Sequence, residues 1–226
     1  MKIHKLIIAF VFLSLSLVVR AGEEHHSSIY GGTQVKLDIA SPAIIIGMSK
    51  GQLQHYEIGV NVRLKDRFYP TLEAGYAGGK TSKDSISYTG NGAFIRLGID
   101  INPLKKHPES PHALLVGIRF GTSAQGFDQR NSNTDAYSHT VKADCWGEIV
   151  AGCQVEIAQF PPYKRGHGER ASFYMGWMGR LKFLFTRMNK ELADEATNIS
   201  VPRYIPGYGD RGNIGWGINY YLGWRF

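Results

Sequence analysis

From Ile214 to Phe226 the chain alternates strictly between large apolar residues and small or polar ones. Ile214, Trp216, Ile218, Tyr220, Leu222, Trp224 and Phe226 share one parity, and Gly215, Gly217, Asn219, Tyr221, Gly223 and Arg225 share the other. Side chains on a strand point to opposite faces with period two, so this segment is a strand with one apolar side. The same rhythm recurs along the chain, separated by turn-rich stretches. It predicts eight strands, at residues 31–40, 54–65, 67–78, 92–102, 112–124, 146–158, 171–186 and 213–226. In the second, Tyr56, Ile58, Val60, Val62 and Leu64 oppose Glu57, Gly59, Asn61 and Arg63. In the fourth, Ile95, Leu97, Ile99 and Ile101 oppose Arg96, Gly98 and Asp100. The first is weaker, with Val35, Leu37 and Ile39 against Gln34, Lys36 and Asp38.

Alternation does not say which face is inside. A soluble barrel or sandwich would turn its apolar face inward. Two features argue for the reverse. The polar parity mixes Gly with Arg and Glu, strand after strand, rather than the Lys, Thr and Ser of a solvated face. Glycine on an inward face leaves room for long side chains from other strands. Aromatics also gather near strand ends, as at membrane interfaces: Tyr56, Phe68, Tyr76, Phe120, Phe127, Phe173, Phe185, Trp216 and Trp224. The expected fold is an all-β, eight-stranded, antiparallel, up-and-down transmembrane β-barrel.

Connection lengths fit that fold, with short turns at one end and long loops at the other. The second connection is tight, around Lys65-Asp66-Arg67. The fourth (103–111) and sixth (159–170) are moderate and contain proline. The fifth (125–145) and seventh (187–212) are the longest and are expected to be extracellular loops. Residues 41–51 are too apolar for a simple loop.

The N-terminus adds an address. Lys2 and Lys5 precede an apolar run over residues 6–19, and Val19-Arg20-Ala21 suits cleavage. This predicts a signal peptide over residues 1–21 and a mature barrel over 22–226. No Cys follows the run, which speaks against a lipoprotein anchor. Without Lys2, Lys5 and Arg20, 23 basic residues face 19 acidic ones, a formal charge of +4. Those charges are scattered, and an exported protein rarely meets nucleic acid, so no nucleic-acid partner is expected. Cys145 and Cys153 fall on one strand, roughly 26 Å apart at about 3.3 Å per residue, too far to bridge.

The order of several motifs is familiar: Tyr56-Glu57-Ile58-Gly59-Val60, Leu72-Glu73-Ala74-Gly75-Tyr76, Phe94-Ile95-Arg96-Leu97-Gly98-Ile99-Asp100, Val116-Gly117-Ile118-Arg119-Phe120-Gly121, Tyr204-Ile205-Pro206-Gly207-Tyr208 and Gly215-Trp216-Gly217-Ile218-Asn219-Tyr220. Across residues 22–226 the chain resembles a family of uncharacterised outer-membrane β-barrel proteins of Bacteroidetes, known as a domain of unknown function. The resemblance implies an outer-membrane barrel and brings no catalytic residues. The closing strand also resembles the recognition signal of bacterial outer-membrane barrels, with Trp224 and Phe226 as its aromatics. Outer-membrane lipid and the barrel-assembly machinery are the implied partners.

Candidate chemistry lies on the polar parity. Glu57, Arg63, Glu73, Arg96, Asp100, Arg119, Glu148, Glu156, Arg180, Lys182 and Arg225 are all expected to face the lumen. Charges at such density should pair, because an unpaired buried charge is costly. Arg96, Arg119 and Arg180 are expected to be neutralised by Glu57, Glu73, Glu148 and Glu156. An eight-stranded barrel has room inside only for side chains, so the expectation is a salt-bridged plug. A narrow pore through the same charges is one alternative. A lipid-A-modifying enzyme using Ser138, His139 and Asp135, with Asp144 nearby, is another, although these residues show no distinctive spacing. His25, His26 and His167 are scattered and suggest neither a metal site nor a cofactor. The resulting expectation is a non-enzymatic barrel with a structural or surface-interaction role through its outer loops.

Overall fold

A computed structural model describes residues 30–39, 53–65, 67–83, 86–104, 112–131, 134–160, 171–185, 204–210 and 212–226. The expected signal peptide, residues 41–51, His25, His26, His167 and most of the seventh connection lie outside these.

The strands are β1 (Tyr30–Asp38), β2 (Leu53–Leu64), β3 (Phe68–Lys83), β4 (Ile86–Ile101), β5 (Ala113–Asn131), β6 (Thr134–Gln159), β7 (Ser172–Leu184), the short β8 (Tyr204–Ile205) and β9 (Gly209–Asp210), and β10 (Ile214–Arg225). Eight of them close into an antiparallel barrel in the order β1-β10-β7-β6-β5-β4-β3-β2. Each neighbours the strand before and after it, so the barrel is up-and-down. The small β8–β9 hairpin belongs to the connection between β7 and β10. All eight predicted strands are present.

Closure is made by β1 and β10. Lys36 faces Gly223 and Asp38 faces Tyr221 in register. Phe226 extends the ladder by exchanging both backbone hydrogen bonds with Thr33, each 3.0 Å. A register shift between Tyr30 and Thr33 contains Gly32 at φ 103°, a bulge that only glycine adopts without strain. The tight β2–β3 turn is as expected, with Arg67 N donating to Leu64 O at 3.1 Å and Lys65 at positive φ.

Two predicted loops are strands instead. Residues 79–83 continue β3 and 86–91 continue β4, and residues 125–131 continue β5 and 134–145 continue β6. These stretches are rich in Gly, Ser, Thr, Asn and Asp, so the apolar alternation ends before the ladder does. Backbone pairing needs no hydrophobic face. The hairpins of β3–β4 and β5–β6 therefore extend the barrel at the end opposite to Phe226.

The faces divide as the parity predicts. The outward row includes Leu37, Ile58, Val60, Leu97, Ile118, Ile149, Trp177, Leu181 and Trp216, the last 82% exposed. Phe127 is an exception to the expected girdle: it is buried at 3%, because it shares inward parity with Arg119, Ser123 and Gln125.

The interior is packed solid in places. One cluster joins Tyr69, Ala113, Leu115, Val150, Tyr174, Met178 and Tyr221 towards the end where β10 finishes. Another joins Ala77, Phe94, Trp146, Ile205 and Tyr208 towards the opposite end. Inward glycines sit beneath large neighbours. A Cβ on Gly223 would lie 2.1 Å from Tyr174 Cζ, and one on Gly98 would lie 2.5 Å from Arg119 Cδ. Glycine is required at 223 because the Tyr174 ring fills the space, and at 98 because the Ile118 carbonyl, 2.1 Å from such a Cβ, and Arg119 do.

Candidate functional site

Between the two apolar clusters lies a network of buried charges. The inward order along β6 shows this directly: Trp146, then Glu148, then Val150. Glu73 on β3 is the hub. Its carboxylate lies 2.8 Å from Lys36 Nζ, 3.1 Å from Arg96 Nη1, 2.9 Å from Arg180 Nη1 and 3.6 Å from Arg119 Nε. Arg96 also reaches Glu57 at 2.8 Å and Glu148 at 3.1 Å. Arg180 reaches Glu148 at 2.8 Å and Glu57 at 3.2 Å, and its Nε donates to Asn219 Oδ1 at 2.6 Å. Arg119 grips Asp100 with two parallel bonds of 2.7 Å. That fork-to-fork geometry is among the stronger charge-assisted arrangements. Trp146 Nε1 donates to Glu148 Oε1 at 2.7 Å, and the Arg96 guanidinium lies 4.5 Å from the Phe94 ring centroid.

The charges balance. Among the described residues the buried cations are Lys36, Arg63, Arg96, Arg119, Arg180 and Lys182, and the buried anions are Asp38, Glu57, Glu73, Asp100, Asp144 and Glu148. Six of each leave no net charge in a medium where an unpaired ion is expensive.

The connection between β7 and β10 completes the network. Its turn at Pro206, Gly207 and Tyr208 is buried inside the barrel mouth. Gly207 O accepts from Arg96 Nη2 at 2.9 Å and from Lys182 Nζ at 2.8 Å, and Tyr208 O accepts from Lys182 Nζ at 2.8 Å. Gly207 has φ 77°, and a Cβ there would lie 2.5 Å from the Phe94 ring. Tyr208 packs edge-on against Trp146 at 5.9 Å. This part of the seventh connection, expected as an outer loop, folds inward and plugs one end.

The eleven lumen charges read from the sequence divide into groups. Glu57, Glu73, Arg96, Asp100, Arg119, Glu148, Arg180 and Lys182 meet in or beside the network. Arg63 is buried near the β2–β3 turn. Glu156, expected to neutralise the three arginines, does not reach them and instead lies 3.4 Å from Arg225 Nη2. It sits eight residues beyond Glu148 on β6, roughly 26 Å along a strand rising about 3.3 Å per residue. Asp100 faces the lumen as expected, but its pairing with Arg119 was not among the expected contacts. Lys36 and Asp38 carry the same inward parity in β1 but were not among the expected lumen charges. Extending the parity rule to that weaker strand would have found them. Asn219 and the Gly207 and Tyr208 carbonyls carry no charge signal.

With this geometry the match to known families follows. A family model covers residues 3–225. The chain belongs to the family described as a domain of unknown function, DUF6048. No curated protein matches the chain. Membership in this family assigns no chemistry to the network, so its role rests on geometry.

One subset could hold a metal on donor types alone. Asp38, His55 and Glu57 bring ligand atoms within 4.8 Å of one another, all buried. His55 Nε2 lies 3.4 Å from Glu57 Oε2 and the ring stacks on Phe94 at 5.3 Å. The place between the two carboxylates already has a donor. Asn219 Nδ2 donates to Asp38 and, at 3.5 Å, to Glu57, and its orientation is set by Arg180 on its oxygen. A divalent cation would also add two uncompensated charges to a balanced interior. The set fits a hydrogen-bonded corner of the network better than a metal centre.

The backbone of Asp135, Ser138 and His139 belongs to β6. Ser138 pairs with Asp128 and His139 with Phe127 in the ladder. Cys145 and Cys153 are not joined by a disulfide and lie on the outward parity of that strand, with Cys145 Sγ donating to Thr122 Oγ1 at 3.5 Å.

Proposed function

We propose that this chain is an outer-membrane β-barrel with a structural or surface-interaction role, its interior serving as a fixed plug rather than a channel or a catalytic site. The observation that carries the reading is the filled lumen: a charge-balanced network between two apolar clusters, closed at one mouth by the Gly207–Tyr208 turn. An eight-stranded barrel has little interior to spare, and here side chains from every wall occupy it.

The membrane reading rests on the outward face. Its apolar row on β10 runs from Ile214 to Phe226, and equivalent rows lie on the other strands. At about 3.3 Å per residue and a tilt of about 40°, that row is roughly 30 Å tall, enough for an apolar band with aromatic girdles. Outer-membrane lipid is the solvent proposed for it, and the barrel-assembly machinery the partner that reads the strand ending in Trp224 and Phe226. The basic, apolar and small-residue order of residues 1–21 supports export. The extended β3–β4 and β5–β6 hairpins would then stand outside the cell, where a rigid scaffold presents them.

Two measurements test this, one on the refolded barrel and one on cells that express it. Planar-bilayer recording should show no steady conductance, and expression in a Gram-negative host should leave the lipid-A acyl pattern unchanged. Steady single channels would make the barrel a pore. A changed acyl pattern that disappears in His139→Ala would make it an enzyme.

A further inference from the structure

The hairpin of β8 and β9 sits in the barrel mouth without being part of its wall. It forms a two-stranded sheet of its own, and among the described residues its backbone-to-backbone hydrogen bonds run within itself. The eight-stranded ladder closes without it. What holds the hairpin is a site built by other elements. Arg96 on β4 and Lys182 on β7 donate to its Gly207 and Tyr208 carbonyls, and Trp146 on β6 packs against the Tyr208 ring. Ile205 is buried in the same cluster as Ala77 and Phe94. Both hydrogen bonds that Lys182 makes among the described residues end on the hairpin. A unit held by side chains alone can open locally while the rest of the fold stays intact.

The site has a defined chemistry. Arg96 and Lys182 belong to an interior whose charges already balance, so an acceptor there must bring lone pairs without a charge. Two adjacent main-chain carbonyls do that, and a carboxylate or phosphate does not. The occupant must also be small where it passes Phe94, since a Cβ on Gly207 would lie 2.5 Å from that ring. Gly209 is glycine for another reason. It has φ 110°, yet a Cβ there would meet nothing within 4 Å, so it serves the backbone bend rather than the packing. Three residues separate Asp210 from Ile214, where β10 begins. A hairpin turning about Gly209 therefore leaves the site and stays at the rim.

We propose that the mouth opposite to Phe226 is a binding site for a peptide turn with two adjacent carbonyls and an aromatic side chain, and that the β8–β9 hairpin is its tethered occupant, a stopper latched by Lys182 and hinged at Gly209. Seated, the hairpin covers Trp146 and Phe94. Withdrawn, it opens the mouth down to the charged network. This goes beyond the plug reading and does not depend on it, because the network fills the lumen with the hairpin in either position.

Acrylamide quenching of Trp146 tests the proposal, in the refolded mature chain with the outward Trp177, Trp216 and Trp224 replaced by Phe. In that background Trp146, fully buried here, should be protected. Lys182→Met removes the latch, and Gly207→Ala drives a methyl into the Phe94 ring. Each should raise quenching several-fold while the barrel remains heat-modifiable. If Lys182→Met does not refold, Gly207→Ala makes the same comparison. Replacing residues 204–210 with a Gly-Ser stretch of equal length should also expose Trp146. A synthetic peptide of the sequence 204–210 should then restore its protection at millimolar concentration, the range a short tether supplies. Parent-like protection in Gly207→Ala would overturn the proposal. So would a barrel that cannot close without the hairpin, or a peptide that leaves Trp146 exposed.

Discussion

Replacing Glu73 with Gln keeps the shape of the hub and removes its charge. The carboxylate has Lys36, Arg96 and Arg180 within 3.1 Å and Arg119 at 3.6 Å. At an effective dielectric near 20, one contact at about 3 Å is worth roughly 5 kcal/mol of Coulomb energy. The contacts do not add, because Arg96 and Arg180 are shared with Glu57 and Glu148. The desolvation of the carboxylate, avoided in the variant, offsets part of the loss. Removing one partner from a buried ionic set costs about 3–5 kcal/mol in comparable cases, since it strands the opposite charge. The glutamine amide also turns a donor towards cations that need acceptors. With a urea slope of roughly 2 kcal/mol per molar, the unfolding midpoint should fall by about 1.5–2.5 M. Glu156→Gln is the internal standard. Its single contact with Arg225 is 3.4 Å long and stands apart from the network, so its loss should lower the midpoint clearly less than the loss of the Glu73 charge. Both variants would be unfolded and refolded in the same lipid or detergent, followed by tryptophan fluorescence. If the two midpoints fell equally, the network would not be a buried, balanced plug, and a hydrated lining would describe it better.

Three further outcomes follow from the same geometry. Leu97→Arg and Val60→Arg put a charge on the outward apolar face and should each cost roughly 2–4 kcal/mol in lipid vesicles if those positions lie near the midplane; parent-like folding of both would mean that this face does not meet hydrocarbon. Deleting Phe226 removes the backbone pair with Thr33 and the closing aromatic; it should lower the heat-modifiable species in the outer membrane without blocking export, and an unchanged yield would argue against an assembly signal. Gly223→Ala drives a methyl to 2.1 Å from Tyr174 Cζ, whereas at Gly217 the nearest atom is Lys182 Cε at 3.5 Å; the first should cost about 1–3 kcal/mol by overpacking and Gly217→Ala much less, read as the difference between their urea midpoints.

The pattern of residues alone determined the number of strands, the inward and outward sets, and the glycines among the lumen charges. These are local properties: side chains alternate with period two whatever the strand later pairs with. That is why Glu57, Glu73, Arg96, Arg119, Glu148 and Arg180 were legible as one inward set. Their partners were not. Which charges meet depends on strand tilt and stagger in the closed barrel, and neither is written in any single strand. So Glu73 gathers cations from β1, β4, β5 and β7, Asp100 rather than Glu156 serves Arg119, and Phe127 turns inward. The polar ladders within 79–83, 86–91, 125–131 and 134–145 read as loops because backbone hydrogen bonds leave no trace in hydropathy once both faces are polar. The inward turn at Gly207 and Tyr208 was hidden for a related reason. Its carbonyls are the same in every sequence, and only the tertiary structure brings them to the two cations, Arg96 and Lys182, that hold them inside the barrel.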